Sequence, residues 1–255
     1  RVLSASEVKA LYNTGASAKV NASQAYIPPT PTTNLQSGLV GFWDFSAGKM
    51  GTTSAYDASG NNNTGWLIGG VKKVIGKVGQ GLAFDGSTGY IGAGTNILSS
   101  YTGAFSVSVW IKATPGSFSA SRTFIAKDTR TGSTVGTFQI QSDTGNVVGY
   151  VFDTAGSAYL GRRCSSVATG GWKHIVFTYD GSATQAGVRL YCDNVATATT
   201  YSSGSFTLMK ATTHELRIGN YINSSGANDR FFSGSIDDVR IYNRALSQAE
   251  VTSLY

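Results

Sequence analysis

Between Phe105 and Ile111 the chain alternates with period two. Phe105, Val107, Val109 and Ile111 fall on one face of an extended segment, and Ser106, Ser108 and Trp110 fall on the other. Comparable runs recur along the sequence: LVGFWDF (39–45), GLAFDG (81–86), YIGAG, TFIAKD, TFQIQSD, NVVGYVFD, GWKHIVFTYDG, GVRLYCDN, ELRIGNY and GSIDDVRIYNRAL. Turn signals such as DGSTG, DTGN and YDGS separate the runs at intervals of roughly ten residues. The pattern predicts an all-β sandwich or barrel and excludes βαβ units.

Helix signals are confined to the two ends. RVLSASEVKALY (1–12) and RALSQAEVTSLY (244–255) share Arg, Leu, Ser, Glu, Val, Leu and Tyr at seven of twelve aligned positions. Ser4 with Glu7, and Ser247 with Glu250, form S-x-x-E capping boxes, and Leu3 with Val8, and Leu246 with Val251, supply the hydrophobic staples. A short capped helix is therefore predicted at each terminus. Residues 13–37 hold three of the four prolines and have the composition of an extended tether. On this reading the globular domain is 38–255. Residues 1–12 are then the closing helix of a preceding repeat, or a segment that docks head-to-tail on a neighbouring copy.

Charged residues make up only 13% of the chain, against roughly a quarter in an average soluble domain. With 32 glycines, this composition suits an extracellular protein, secreted or at a cell surface. The net charge of +6 does not point to nucleic acid, because Lys and Arg are scattered. The densest cluster, VKKVIGK (71–77), reads as a solvated strand edge or an anion-binding patch. No apolar run approaches the roughly 20 residues of a membrane span. Cys164 and Cys192 are the only cysteines, which leaves one disulfide or two buried thiols.

Taken in order, GLVGFWDF, YDASGNNNTG, GKVGQGLAFDGSTGYI, FSVSVWIKA, GGWKHIVFTYDG, VRLYCDN and FSGSIDDVRIYNRALSQAEV resemble the bacterial laminin-G-like, concanavalin A-like lectin domains. The resemblance covers Gly38 to Tyr255 and implies an antiparallel jelly roll of two packed sheets. Trp43, Phe45, Phe84, Trp172 and Phe177 read as core, and His174 as the donor or acceptor of a structural hydrogen bond across the sandwich. The loop YDASGNNNTG is rich in oxygen ligands for calcium and equally in residues that favour Asx turns. Many members of the superfamily hold a structural calcium. The resemblance implies Asp237, in DDVRIY, as its first ligand, with Asp57, Asn61 and Asn63 as partners and Asp85 and Asp44 as further candidates.

The same fold serves glucanases and lyases, so the fold alone does not assign an activity. Retaining glycosidases of this type carry E-x-D-x-E on one strand, which sets two carboxyls about 5 Å apart. That motif is absent, and the three glutamates are Glu7, Glu215 and Glu250. The expected function is a non-catalytic carbohydrate-binding or adhesion module. The alternatives are a purely structural or filament-forming repeat and, third, a polysaccharide-degrading enzyme. Candidate glycan contacts are the residues that fit no core pattern: Trp66, Tyr150, Tyr159, Tyr221, Asn223, Asn228 and Arg230, with the loop 219–232 foremost.

Overall fold

The long alternating run becomes the central strand Phe105–Ala113 of one sheet in the computed structural model. Its faces part as the pattern requires. Phe105, Val107, Val109 and Ile111 enter the interior, whereas Ser108 and Trp110 face outward and meet His174. The structure describes residues 34–128, 136–156, 158–167 and 169–255. The expected helix 1–12 and the tether up to residue 33 lie outside the described residues. The last tether residues, 34–37, form a turn held by Arg244, whose guanidinium donates to the carbonyls of Ser37 (2.7 Å) and Asn34 (3.2 Å).

Two eight-stranded antiparallel sheets pack face to face as a jelly-roll sandwich within a unit spanning Asn34–Tyr255. The first sheet runs Val195–Ala196, Val188–Cys192, Lys173–Tyr179, Phe105–Ala113, Ser233–Tyr242, Gln80–Asp85 and Lys72–Ile75, with Leu39–Trp43 also paired to Ser233–Tyr242. The second runs Tyr159–Cys164, Asn146–Phe152, Phe138–Asp143, Thr123–Lys127, Arg217–Ile218, Tyr90–Gly92, Gly65–Ile68 and Ser54–Ala55. Lys72–Ile75 is the edge strand read from VKKVIGK, with Lys72 and Lys73 exposed.

Side chains from both sheets fill the space between them. Phe105 of the first sheet, for example, lies 5.0 Å from Phe138 of the second, centroid to centroid. Trp43, Phe45, Phe84 and Phe177 are buried as expected. Trp172 is only half-buried, because it precedes the strand that starts at Lys173 and so sits at the rim. Cys164 and Cys192 form a disulfide that ties an end strand of the second sheet to the first.

One α-helix is present among the described residues, Gln248–Leu254, and both halves of its predicted capping box form. Leu246 and Val251 pack with Leu39, Val176, Tyr191 and Tyr242 on the outer face of the first sheet. Tyr255 stacks on Trp110 (5.6 Å), and Trp110 stacks on His174 (4.7 Å). His174 does hold a structural hydrogen bond, with Ser108 Oγ at 2.8 Å, but along the outer face of one sheet and not across the sandwich. Burial lowers its pKa to about 4. No helix among the described residues is long and apolar enough to cross a membrane.

Candidate functional site

In the second sheet, one transverse row crosses all eight strands in register: Ser54, Trp66, Gly92, Arg217, Ala126, Gln139, Tyr150 and Gly161. Their sequence neighbours Leu67, Ile91, Leu216, Ile218, Ile140 and Val151 pack into the core, so this row faces outward. Adjacent strands lie about 4.8 Å apart, which places Trp66 and Arg217 on either side of Gly92 at a backbone separation of about 10 Å.

One half of this face is covered. Tyr150 is 4% exposed, its hydroxyl donates to Gln139 Oε1 (2.7 Å), and the rings of Tyr159 and Tyr201 lie 5.3 and 5.6 Å from its own. Ser203 bonds along the edge strand at Tyr159, which brings Tyr201 over the face. The expectation that Tyr150 meets a ligand is therefore corrected: it is a packing residue, with Tyr159 half-buried beside it.

The other half is open. Trp66 is 57% exposed, and Ile68 is exposed beside half-buried Tyr90 in the neighbouring register. The Arg217 guanidinium lies 4.6 Å from the Tyr90 ring centroid, pairs with Glu215 at 3.0 Å and donates to Asn228 Oδ1. The carboxylate of Glu215 lies over Gly92, where a Cβ would overlap it. Glycine leaves room there for a neighbouring side chain, and a larger residue would make the Glu215 carboxylate shift.

The hairpin Tyr221–Ile222 and Asn228–Asp229 borders this surface. Asn228 is exposed, and its Oδ1 also accepts from Asn220 Nδ2 (3.1 Å). Arg230 is half-buried, lies 5.0 Å from the Tyr221 ring centroid and donates to Gln141 Oε1 (2.7 Å). Two expectations fail here. Tyr221 is only 4% exposed, so it supports Arg230 and is not offered to solvent. Asn223 Oδ1 accepts from Ser225 N, Ser225 Oγ and Ala227 N, so this side chain builds the turn.

The structure thus brings Trp66, Asn228 and Arg230 to one face and adds Tyr90, Gly92, Glu215 and Arg217, none of which was singled out from the sequence. A signal was available, because the alternation in ELRIGNY sets Glu215 and Arg217 on the face opposite Leu216 and Ile218. Two shallow grooves on the first sheet, one beside Lys73 and Gln80 and one beside Lys112 and Gly234, are lined by neither an aromatic ring nor a carboxylate.

The calcium candidates do not assemble into an oxygen cage. Asp57 accepts the backbone N–H groups of Phe42 (2.9 Å), Ser59 (2.8 Å) and Asn63 (3.0 Å). Asn61 and Asn63 donate their amides to the carbonyls of Leu39 and Val40. The loop is an Asx clamp on the first strand. Asp237 is fully buried elsewhere and accepts from Val78 N (2.8 Å) and Asp238 N (2.7 Å), tying the 76–79 turn to the last strand. Burial raises its pKa to about 6. Asp85 closes its own turn by accepting from Ser87, Thr88 and Gly89, which holds its carboxyl below the usual range despite some desolvation. Asp44 likewise accepts from Ser46. The described residues hold no group of three or more His, Cys, Asp or Glu that could bind a metal. Carboxylates already filled by N–H donors do not fit the six to eight oxygens of a calcium site.

A family profile, that of the concanavalin A-like lectin/glucanase superfamily, matches residues 85–252. The chain belongs to this family. Curated protein sequences gave no match. Among solved structures of this superfamily fold, domain 4 of an extracellular arabinanase from Geobacillus stearothermophilus, in complex with arabinotriose, superposes with a TM-score of 0.62 at 23% identity, covering 86% of this chain and 98% of that one. The receptor-binding domain of botulinum neurotoxin C/D mosaic serotype gives 0.64 at 16% identity over 87% of this chain. The serotype D ligand-binding domain in complex with N-acetylneuraminic acid gives 0.61 at 14% identity over 86% of this chain. The chain spans about half the length of these toxin domains, 51% in both cases. At such identities the likeness shows the fold alone.

Proposed function

We propose that the chain is a non-catalytic carbohydrate-binding module of an extracellular protein, and that the glycan lies on the open half of the second sheet's outer face. The observation that carries this reading is the exposed Trp66 ring standing in register with Arg217 across Gly92, with the Glu215 carboxylate in the gap. An indole face stacks a pyranose ring, and the partly exposed Glu215 carboxylate, held in place by the buried Arg217 guanidinium, accepts from adjacent hydroxyls. Because Glu215 neutralises Arg217, the surface suits a neutral, hydroxyl-rich glycan better than a polyanion, whatever the net charge of the chain.

Two facts support the reading without deciding it. The disulfide suits an oxidising, extracellular setting. Similar folds are found in complex with arabinotriose and with N-acetylneuraminic acid. The non-catalytic part rests on the missing E-x-D-x-E motif.

The test is a glycan array on the purified chain, followed by titration calorimetry with the best hit. Trp66→Ala should weaken binding at least about tenfold, the loss typical of an aromatic anchor. Its melting temperature should not move, because the ring is exposed. A blank array would sink the carbohydrate reading. Full affinity in Trp66→Ala would remove the glycan from this surface.

A further inference from the structure

The C-terminal segment shows what each position of the repeated terminal sequence does. Arg244 makes a two-pronged ion pair with Glu250 (2.6 and 3.0 Å) and lies 5.5 Å from the Tyr242 ring centroid. Ser247 and Glu250 form the capping box. Leu246 and Val251 are buried against Leu39, Val176, Tyr191 and Tyr242, and Leu254 packs beside them half-buried. Tyr255 stacks on Trp110. These seven residues are the seven that recur at the start of the chain, as Arg1, Leu3, Ser4, Glu7, Val8, Leu11 and Tyr12.

The five positions that differ are those of Ala245, Gln248, Ala249, Thr252 and Ser253. All are exposed except Ala245, which is half-buried. Gln248 and Thr252 make rim contacts to Asn194. Identity between the two segments therefore follows the caps of the helix and the contacts with the sheet. Shared helix propensity would preserve the caps, but it gives no reason to keep Leu11 and Tyr12, whose counterparts pack against the apolar cluster under the helix and stack on Trp110.

We infer that residues 1–12 are a docking element for this groove in a second copy of the domain, taking the place held here by residues 244–255. In each copy the resident helix follows the last strand directly, so its effective concentration at the groove is the higher one. An incoming segment 1–12 presents the same apolar and aromatic contacts and occupies the groove when the resident helix is weakened. Because donor and acceptor surfaces differ, the contact is heterologous and propagates head to tail.

The test uses the full chain with Val8→Asp, Val251→Asp and the double variant, each followed by melting and by light scattering over a concentration series. Val251→Asp puts a charge where a buried valine stood, which releases the resident helix. Val8→Asp alone should leave melting unchanged. Val251→Asp should melt lower than the native chain and form concentration-dependent dimers or longer oligomers. The double variant should stay monomeric and melt about 5 °C or more below Val251→Asp. Identical melting and mass for Val251→Asp and the double variant overturn the inference, as does a monomeric Val251→Asp at every concentration. If Val251→Asp does not fold, a chain with Ala245→Val, Gln248→Ala, Ala249→Ser, Thr252→Lys and Ser253→Ala carries the 1–12 sequence in the resident position. Melting within about 3 °C of the native chain supports the shared docking code, and a larger loss overturns it.

Discussion

Replacing Cys164 and Cys192 together by alanine removes the one disulfide of the chain, and its effect follows from where that bond sits. The bond joins Tyr159–Cys164, at one end of the second sheet, to Val188–Cys192 of the first, across a sequence separation of 28. The closed segment contains Lys173–Tyr179, which pairs with the central strand Phe105–Ala113. Opening it therefore frees a stretch that must be ordered again whenever the first sheet forms. In the chain-entropy account, a closed loop of this length stabilises by about 12 cal/mol/K, or about 3.6 kcal/mol at 25 °C. For a domain of this size each kcal/mol moves the midpoint by roughly 2–4 °C, so a fall of about 7–14 °C is expected.

Calorimetry on the full chain measures this. Alanine is the right replacement because Cys164 is buried and a serine hydroxyl there would add a separate cost. The single variants give the sharper test. Either one breaks the cross-link, so each should lose nearly as much as the double variant, a strong non-additivity. A double variant melting within 2 °C of the native chain would refute the reasoning. So would single variants that each lose half, since that pattern means local packing at each cysteine carries the stability.

Gly92→Ala should displace the Glu215 carboxylate while leaving melting within about 2 °C, so glycan affinity falls with the fold intact; undiminished binding would separate Glu215 from recognition. Asp57→Ala strands three backbone N–H groups of the 57–63 clamp and should cost about 2–4 kcal/mol in denaturant melts, whereas a chelator should leave the native midpoint in place; a chelator-sensitive midpoint would contradict the clamp account. Asp237 has a folded pKa of about 6, above its ordinary 3.8, so its contribution is fully present below 3.8 and is lost as pH rises through 6. His174, on the far side of Trp110, has a folded pKa of about 4, below its ordinary 6.5, and its contribution is lost as pH falls through that window. The two oppose each other between pH 4 and 6, so the native midpoint should vary little there, and Asp237→Asn should uncover a decline on acidification; an unchanged pH profile in Asp237→Asn would sink this pairing.

Periodicity made the sheets legible, because the alternation of Phe105–Ile111 is a local property that the folded sheet preserves. It also gave the outward direction of Tyr150, but not its environment. The segment that brings Tyr201 over Tyr150 is polar and carries no strand signal, and so a covered position read as an exposed one. Asp237 failed as a calcium candidate for a related reason. One of the donors that fill its carboxylate comes from Val78, 159 residues away, and only the register of Ser233–Tyr242 against Gln80–Asp85 brings that turn to the last strand. The glycan surface was half legible. Trp66 stands out as an aromatic in a strand, whereas the value of Arg217 depends on Gly92 being its neighbour, a pairing between strands more than a hundred residues apart in sequence.

The two outer faces of the sandwich divide the roles by what closes each of them. On the first sheet the C-terminal helix seals Val176, Tyr191 and Tyr242, and Tyr255, Trp110 and His174 form a stack, with Lys77 Nζ 4.3 Å from the Trp110 ring centroid. These rings are already used by one another, and His174 is held buried and neutral there. On the second sheet the cover stops at Tyr201, and the remaining rows end on an unpartnered indole. An aromatic surface sealed by a segment of its own chain, a segment repeated elsewhere in the sequence, is suited to joining copies. An aromatic surface left open beside a neutralised ion pair is suited to an external ligand. Because the two surfaces lie on opposite sheets, a glycan on one leaves the helix groove on the other untouched. In the Val251→Asp background, losing glycan binding through Trp66→Ala and losing assembly through Val8→Asp should therefore be independent, each variant keeping the property that the other one lacks.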